Sequence, residues 1–132
     1  MVEIPKEILD AVVSHAQSGF PLEVCGILGG SGRVVASHYP MTNTDARNDH
    51  FMMAPKEQFA VVKALRASGQ QMLMIYHSHP ESPPLPSQED IRLAFTPNVH
   101  HLIVSLQERD KPVARAYRIE EGVVEPVELS VI

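Results

Sequence analysis

Apolar residues recur along the chain with two different spacings, and these spacings separate predicted helices from predicted strands. Residues 5–18 carry apolar side chains at intervals of three and four, which predicts an amphipathic helix ended by Gly19. Residues 55–68 show the same spacing before Gly69 and predict a second helix. Short apolar runs between turn-forming residues predict strands at 24–30, 33–39, 71–76, 101–106, 113–119 and 123–129, with a short extended piece at 50–53.

The order of these elements predicts the fold class. A further helix at 87–95, with Ser87 as its N-cap, gives the order α-β-β-(β)-α-β-α-β-β-β. This alternation predicts an α/β or α+β fold, in which helices flank a mixed β-sheet. The Gly-Gly-Ser-Gly at 29–32 predicts a hairpin turn, since no Lys-Ser or Lys-Thr follows it as in a phosphate-binding loop. The 132 residues, 44% of them hydrophobic, predict one domain, 1–132, with its own core.

Composition and charge argue against several classes of protein. The net charge of −5 argues against a nucleic-acid-binding protein, which normally carries a basic surface. No apolar run approaches the roughly 18 residues that would predict a membrane-spanning helix. Residues 1–7 predict the start of an ordinary helix rather than a signal peptide. The single cysteine, Cys25, cannot form an intrachain disulfide, and this favours a cytoplasmic location.

Metal-ligating residue types are concentrated in His77-Ser78-His79-Pro80 and Ser87-Gln88-Glu89-Asp90. Alternate residues of an extended segment project to the same side, so His77 and His79 can converge on one point. Asp90 lies in the first turn of the predicted helix, where an anion is well tolerated. Two imidazoles and one carboxylate leave the fourth position of a zinc ion open for water, which is typical of a catalytic site. Only about 0.001 chance matches to this spacing are expected in such a composition.

A simpler interpretation of the same segment remains open from the residues alone. Ser87 and Asp90 can form a plain capping box, with two histidines that bind nothing. The two interpretations are compatible, because Ser87 and Asp90 can cap the helix while Asp90 also binds a metal. The four prolines within residues 80–86 predict a stiff connection that would hold the third ligand in place. Glu23 precedes the strand at 24–30, and its position alone favours a solvated residue or an arginine partner.

The motifs together resemble a known family. The pattern Glu-x-Cys-Gly-x-Leu-x-Gly, an apolar strand, His-Ser-His-Pro and Pro-Ser-x-x-Asp resembles the JAMM (MPN+, Mov34/PAD-1) metalloprotease domain, in particular its compact prokaryotic branch. The resemblance covers nearly the whole chain and implies a cytidine-deaminase-like sandwich. It implies that Glu23 is the general base and that Ser87 assists the oxyanion. It also implies one Zn²⁺ per chain, bound by His77, His79 and Asp90.

The resemblance further implies a zinc-dependent metallopeptidase or isopeptidase. Its substrate would be the amide after the C-terminal glycine of a small ubiquitin-like or sulfur-carrier protein. A chain of 132 residues has little room for the insertions with which eukaryotic deubiquitinating relatives grip ubiquitin, so ubiquitin itself is not the expected substrate. Both histidine ligands must be neutral, so activity is expected to fall below about pH 6.5.

Three alternatives remain. The first is a non-catalytic MPN-type protein-binding module, and the second is a zinc amidase or deaminase acting on a small molecule. The third is a facial-triad iron oxygenase, because two histidines and one carboxylate can also bind iron or manganese. The five motif residues, all present, argue against the binding module. The oxygenase would leave Glu23 and Ser87 without a task.

The remaining polar and sulfur-containing side chains are predicted to have other roles. Cys25, in an apolar strand, is expected to be a small buried residue rather than a nucleophile. His100 and His101 are neighbours in a strand and face opposite sides, so one is expected to be packed and the other exposed. Residues 50–54 are a candidate sheet edge to which an extended tail could add as a strand. The others are expected to be surface histidines or core filler: His38, His50, Met52, Met53, Met72 and Met74.

Overall fold

Strands and helices alternate along the chain in a computed structural model, which describes residues 1–46 and 48–132. Three helices and eight strands lie in these two ranges. Their bounds are β1 Val2–Ile4, α1 Lys6–Gly19, β2 Cys25–Ser31, β3 Val34–Met41, α2 Pro55–Ala67, β4 Gln71–His79, α3 Gln88–Arg92, β5 His100–Ser105, β6 Val113–Glu120, β7 Val123–Val127 and β8 Leu129–Val131. None of these helices is long and apolar enough to cross a membrane.

All the described strands belong to one mixed sheet, in the order β7-β6-β5-β4-β2-β3-β1-β8. β4 pairs with β5 in parallel, and β1 pairs in parallel with both β3 and β8. The other neighbours are antiparallel. β7 and β8 form the two edges of the sheet although only Glu128 separates them in the chain. The sheet therefore curls until its edges meet at that residue.

The two faces of the sheet are covered by different helices. α1 contributes Val12 and Ala16 to the larger apolar cluster, which contains Tyr76 and Leu102. α2 contributes Val61 and Leu65 to a second cluster on the other face. Successive residues of a strand point to opposite faces. Consecutive residues of β4 therefore serve two different environments, and this alternation places the site described below.

The prediction of a mixed sheet flanked by helices is confirmed, but the prediction for residues 1–7 is wrong. Val2–Ile4 form strand β1, which pairs with β8 near the other end of the chain and with β3. The helix begins only at Lys6, after Pro5. A three-residue strand has no periodic signal, and the partners that stabilise β1 are distant in sequence. Local pattern therefore assigned these residues to the helix that follows them.

The largest other differences concern two strands, one helix and the extended piece predicted at 50–53. The strand predicted at 71–76 continues to His79, because β5 pairs with it as far as His79 opposite Ser105. The strand predicted at 123–129 is divided at Glu128 into β7 and β8. The helix predicted at 87–95 ends at Arg92. Residues 50–53 form no strand, and their pairing is limited to an isolated bridge between Met53 and Asn43.

Candidate metal centre

Two histidines at the end of β4 face the same side of the sheet. His77 pairs with Cys25 of β2 and Ile103 of β5, so strands on both sides fix its backbone. His79, two residues later, pairs with Ser105 of β5. Their exposed fractions are only 2% and 4%. The extended backbone thus delivers two buried imidazoles to one point, as their spacing predicts.

The carboxylate of Asp90 reaches the same point from the start of α3. Ser87 caps this helix, because its Oγ accepts a hydrogen bond from the main-chain N–H of Asp90 at 3.0 Å. In return Oδ2 of Asp90 accepts from the main-chain N–H of Ser87 at 2.9 Å. The capping box predicted as the simpler interpretation is therefore present, and it holds the Asp90 carboxylate in a fixed orientation.

The capping box does not compete with metal binding, because the same Oδ2 atom of Asp90 faces both histidines. It lies 3.1 Å from Nε2 of His77 and 3.0 Å from Nε2 of His79. The two Nε2 atoms are 3.1 Å apart. Three tetrahedral ligands about 2.0 Å from a zinc-sized ion would be separated by about 3.3 Å. The triangle fits such an ion with little adjustment.

Electrostatics favour the charge states that a metal needs at Asp90 and His77 but not at His79. Burial opposes ionisation of Asp90, but hydrogen bonds from His77 and His79 outweigh it and hold the pKa of this carboxyl well below its usual value. Burial lowers the pKa of His77, which keeps this imidazole neutral near pH 7. An ionised carboxylate and a neutral imidazole are the forms in which these side chains bind metals. Burial opposes protonation of His79, but hydrogen bonds to Asp90 and to the carbonyl of Pro83 outweigh it and raise its pKa, so a bound metal would have to displace a proton there.

The proline-rich connection between β4 and α3 is tied to the rest of the sheet. Nδ1 of His79 donates to the carbonyl of Pro83 at 2.9 Å, which leaves Nε2 free to bind a metal. The hydroxyl of Ser105 donates to the carbonyl of Ser82 at 2.6 Å, and that of Tyr117 donates to the carbonyl of Pro84 at 2.5 Å. These contacts hold the segment that connects two of the candidate ligands to the third.

Glu23 lies next to His77 and His79 because Ser78, the residue between the two histidines, forms hydrogen bonds with Val24, the residue after Glu23. The hydroxyl of Ser78 accepts from the N–H of Val24 at 2.9 Å, and its N–H donates to the carbonyl of Val24 at 3.0 Å. The Glu23 side chain is buried, and its Oε1 has no hydrogen-bond partner among the described residues. The solvated role favoured by its position in the sequence is therefore wrong.

The ionisation of Glu23 is sensitive to the triad. Burial raises the pKa of this carboxyl to about 8, while the charge of His79 opposes the rise and that of Asp90 adds to it. A cation held by the triad would favour the charged form of Glu23. Binding of a cation would therefore lower the pKa of this carboxyl from about 8 and favour the carboxylate, the form that can accept a proton.

A cavity of about 280 Å³ opens beside His77 and Asp90. That volume is slightly below the range of about 300–1,000 Å³ typical of pockets for drug-sized ligands, so it suits one side chain. His101 contributes a polar group, and its Nε2 has no hydrogen-bond partner in the described part of the chain. The apolar lining consists of Phe51, Met52, Met53, Ile75, Leu93 and Phe95.

Several features of the site region were missed by sequence reasoning. Phe51 stacks on His77, and His50, predicted to be an isolated surface residue, is half-buried between Asp45 and Glu89. Asn43 forms hydrogen bonds that cross the loop between β3 and α2. The contacts of Phe51 with His77 and of His50 with Glu89 join segments far apart in the chain, and the bonds of Asn43 hold an irregular loop, so no spacing rule signals any of them.

The predicted roles of the remaining side chains are met only in part. His38, predicted to be a surface histidine, is half-buried, with Nε2 2.7 Å from the hydroxyl of Tyr76. Cys25 is fully buried, and burial raises the pKa of its thiol to about 12, which argues against a nucleophile. His101 is buried as expected for one of its pair, but His100 is half-buried rather than exposed. Met52 is exposed at the cavity rather than part of the core.

Comparison with known proteins places these motifs in a family. A family model described as prokaryotic homologs of the JAB domain matches residues 5–120. The chain is 35% identical over 129 residues to the CysO-cysteine peptidase of Mycobacterium tuberculosis, covering 94% of this chain and 88% of that protein. It is 36% identical over 103 residues to the desampylase of Haloferax volcanii, covering 73% of this chain and 74% of that protein.

A solved structure agrees with the architecture. The crystal structure of AF2198, a JAB1/MPN domain protein from Archaeoglobus fulgidus, superposes with a TM-score of 0.66. The similarity covers 100% of this chain and 97% of that one, at 23% sequence identity. At this identity the likeness concerns the fold, and it agrees with the sandwich implied by the sequence motifs.

Proposed function

This chain belongs to the family of prokaryotic homologs of the JAB domain and is a hydrolase acting on peptide bonds, and we propose that it is a zinc-dependent metallopeptidase or isopeptidase. We take residues 1–132 as one catalytic domain acting in the cytoplasm. The observation that carries the proposal is the triangle of ligand atoms from His77, His79 and Asp90, whose sides measure 3.0–3.1 Å.

His77, His79 and Asp90 would hold one zinc ion per chain. Two neutral imidazole nitrogens and one carboxylate oxygen match the donor set of catalytic zinc, and three protein ligands leave a position open. When bound, zinc would lower the pKa of water to about 7, which makes a nucleophile available at neutral pH. The protein contributes a rigid strand for two ligands and a capped helix for the third.

Glu23 would move the protons of the reaction. Its carboxylate would accept a proton from the attacking water and pass it to the nitrogen of the leaving amine. The unpartnered Oε1 of Glu23 and its electrostatic coupling to His79 and Asp90 support this assignment. A buried carboxylate without a protein partner is costly, and such an arrangement is more typical of a reacting group than of a structural one.

Ser87 would stabilise the negative oxygen that develops on the scissile carbonyl. Its Oγ uses a lone pair to accept from the N–H of Asp90, so the hydroxyl hydrogen remains available for donation. The side chain is exposed at the beginning of α3, next to a candidate metal ligand. Replacing Ser87 by Ala is expected to lower kcat about 10²–10³-fold, the usual effect of removing one oxyanion donor.

The substrate we propose is a small ubiquitin-like or sulfur-carrier protein joined through its C-terminal glycine to an amine. The names CysO-cysteine peptidase and desampylase, carried by relatives of 35% and 36% identity, support this class. Terminal glycines have no side chains and need no pocket of their own. The apolar cavity beside His77 would therefore receive the group that carries the leaving amine.

The proposal is tested by hydrolysis of matched substrates. A sulfur-carrier protein ending in Gly-Gly would be joined to an α-amino acid or to the ε-amine of a lysine, and both conjugates compared with a panel of small amides. We expect cleavage after the terminal glycine of at least one conjugate, with loss of activity on chelation and recovery with zinc. Cleavage of small amides alone would identify a small-molecule amidase and contradict the proposal. No hydrolysis by zinc-loaded protein would favour a binding module.

A further inference from the structure

The two histidines of the candidate metal centre are oriented by different means. His79 donates from Nδ1 to the carbonyl of Pro83, the kind of outer hydrogen bond that usually orients a metal-binding imidazole. Nδ1 of His77 is buried and has no hydrogen-bond partner among the residues that the structure describes. The ring of Phe51 instead stacks on His77, with centroids 4.7 Å apart and planes inclined by 24°.

Phe51 is itself held firmly, because Asn43 closes the loop that carries it. Nδ2 of Asn43 donates to the carbonyls of Glu23 at 3.0 Å and His50 at 3.1 Å. Its Oδ1 accepts from the N–H groups of Asp45 at 3.1 Å and Met52 at 3.0 Å. All four hydrogen-bonding positions of the amide are therefore used. These contacts fix the residues on both sides of Phe51.

The same loop is also attached to the helix of the third candidate ligand. Nδ1 of His50 contacts the carboxylate of Glu89, the residue before Asp90 in α3. Nε2 of His50 lies 2.6 Å from the carboxylate of Asp45 in the loop itself. The adjacent residues His50 and Phe51 thus contact two of the elements that supply candidate ligands.

We propose that Phe51 is a positioning residue of the metal centre, which orients His77 by stacking where His79 is oriented by a hydrogen bond. The inference rests on the proposed function, since it assumes that His77 binds zinc. An imidazole bound to a divalent cation is electron-poor, and the face of a phenyl ring is electron-rich. Metal binding would therefore strengthen the stack, and by reciprocity the stack would strengthen metal binding.

The test is the zinc affinity of Phe51 variants, measured in competition with a chromogenic chelator. We expect Phe51→Ala and Phe51→Leu to weaken zinc binding about 10-fold or more, the lower end of the range for removing an outer contact of a metal ligand. Phe51→Tyr keeps an aromatic ring and is expected to restore nearly the wild-type affinity. Phe95→Ala is the matched control, because this residue lines the same cavity but stacks on no histidine within the described part of the chain.

Two further measurements distinguish a positioning role of Phe51 from a general contribution to stability. Thermal unfolding of the metal-free variants shows whether Phe51→Leu, which retains apolar bulk, folds like the wild type. The visible spectrum of the cobalt-substituted protein reports ligand geometry, and we expect it to change in Phe51→Leu but not in Phe95→Ala.

Wild-type zinc affinity and an unchanged cobalt spectrum in Phe51→Leu would overturn the inference while leaving the proposed zinc site intact. An equal loss of affinity in Phe95→Ala would also overturn it. A wild-type protein that binds no zinc would reject the proposed function as well, so the two failures are distinguishable.

Discussion

Tyr76 and His77 are neighbours in β4, yet they face opposite sides of the sheet, and the polar groups around them differ in how fully they are hydrogen-bonded. The hydroxyl of Tyr76 lies 2.7 Å from Nδ1 of His15 and 2.7 Å from Nε2 of His38, so it can donate to one imidazole and accept from the other. On the other face, three buried side-chain atoms lack a partner within the described residues: Oε1 of Glu23, Nδ1 of His77 and Nε2 of His101.

The difference separates a structural polar cluster from a reactive one. Buried polar groups normally satisfy each other, because leaving one unpaired costs roughly 1–3 kcal/mol. The face of the sheet covered by α1, called here the α1 side, follows that rule, because the hydroxyl of Tyr76 and the two imidazoles beside it are paired. The metal-site side has several exceptions in one small region, and such exceptions are expected where a ligand or a reacting group supplies the missing partner.

The largest expected effect comes from neutralising the proposed base on the metal-site side. Glu23→Gln keeps the shape of the side chain but cannot accept a proton, so kcat is expected to fall about 10²–10⁴-fold. Zinc content should stay unchanged, because Glu23 is not a proposed ligand. Glu7→Gln, an exposed change in α1, is the control and should retain full activity. A loss of less than 10-fold in Glu23→Gln would remove Glu23 from the mechanism.

The α1 side is tested by a change that crowds Tyr76. A Cβ atom added at Gly26 would lie 2.2 Å from Cε2 of Tyr76, which is too close for any real contact. Gly26→Ala is therefore expected to lower the free energy of unfolding by about 1–3 kcal/mol, the usual cost of overpacking a core.

Urea unfolding of the metal-free protein would measure the Gly26→Ala effect, and the zinc content of the folded fraction should equal that of the wild type. An unchanged unfolding midpoint would show that this face tolerates crowding, and the contrast between the faces would weaken.

The apolar rim of the cavity is expected to contribute to substrate binding. Phe95 is 78% exposed at the cavity, whereas Phe59 is 67% exposed on α2 and does not line it. Phe95→Ala is expected to lower kcat/KM for conjugates about 10-fold, a typical effect for truncating one aromatic anchor. Phe59→Ala applies the same truncation away from the cavity and should have no effect. Equal kcat/KM values for the two variants would remove the rim from substrate recognition.

The smallest expected effect is a pH dependence of stability on the α1 side. Burial lowers the pKa of both His15 and His38. The unfolded chain therefore binds protons more readily than the folded one, and stability is expected to fall as the pH drops below about 6.5. Replacing both residues by Gln should flatten this part of the curve. Parallel curves for the wild type and the double variant would assign the dependence to other histidines.

The local parts of the site were predictable from sequence, whereas its surroundings were not. The convergence of His77 and His79 follows from strand geometry, and the position of Asp90 follows from the capping box at Ser87. The stacking of Phe51 on His77 depends on an irregular loop held by the hydrogen bonds of Asn43, and the two rings come from segments far apart in the chain. The burial of Glu23 likewise depends on the contact of the next residue, Val24, with Ser78, which is 54 residues from Val24 in the chain.

The same distinction applies to the fold. Strands β4 and β5 have apolar runs long enough to be recognised by themselves. The bounds of β5 were predicted to within one residue, whereas β4 was predicted three residues too short at its end. Strands β1 and β8 have three residues each and are defined by their pairing with each other. No local pattern can reveal an element whose stability comes from a partner at the other end of the chain.

The central claim is that His77, His79 and Asp90 bind a catalytic zinc ion, and metal content tests it most directly. Elemental analysis would compare wild-type protein with the His77→Ala/His79→Ala double variant, both purified without added metal. We expect about one zinc per chain in the wild type and almost none in the variant. Equal zinc content in the two proteins, or no metal in the wild type even after zinc is supplied, would contradict it.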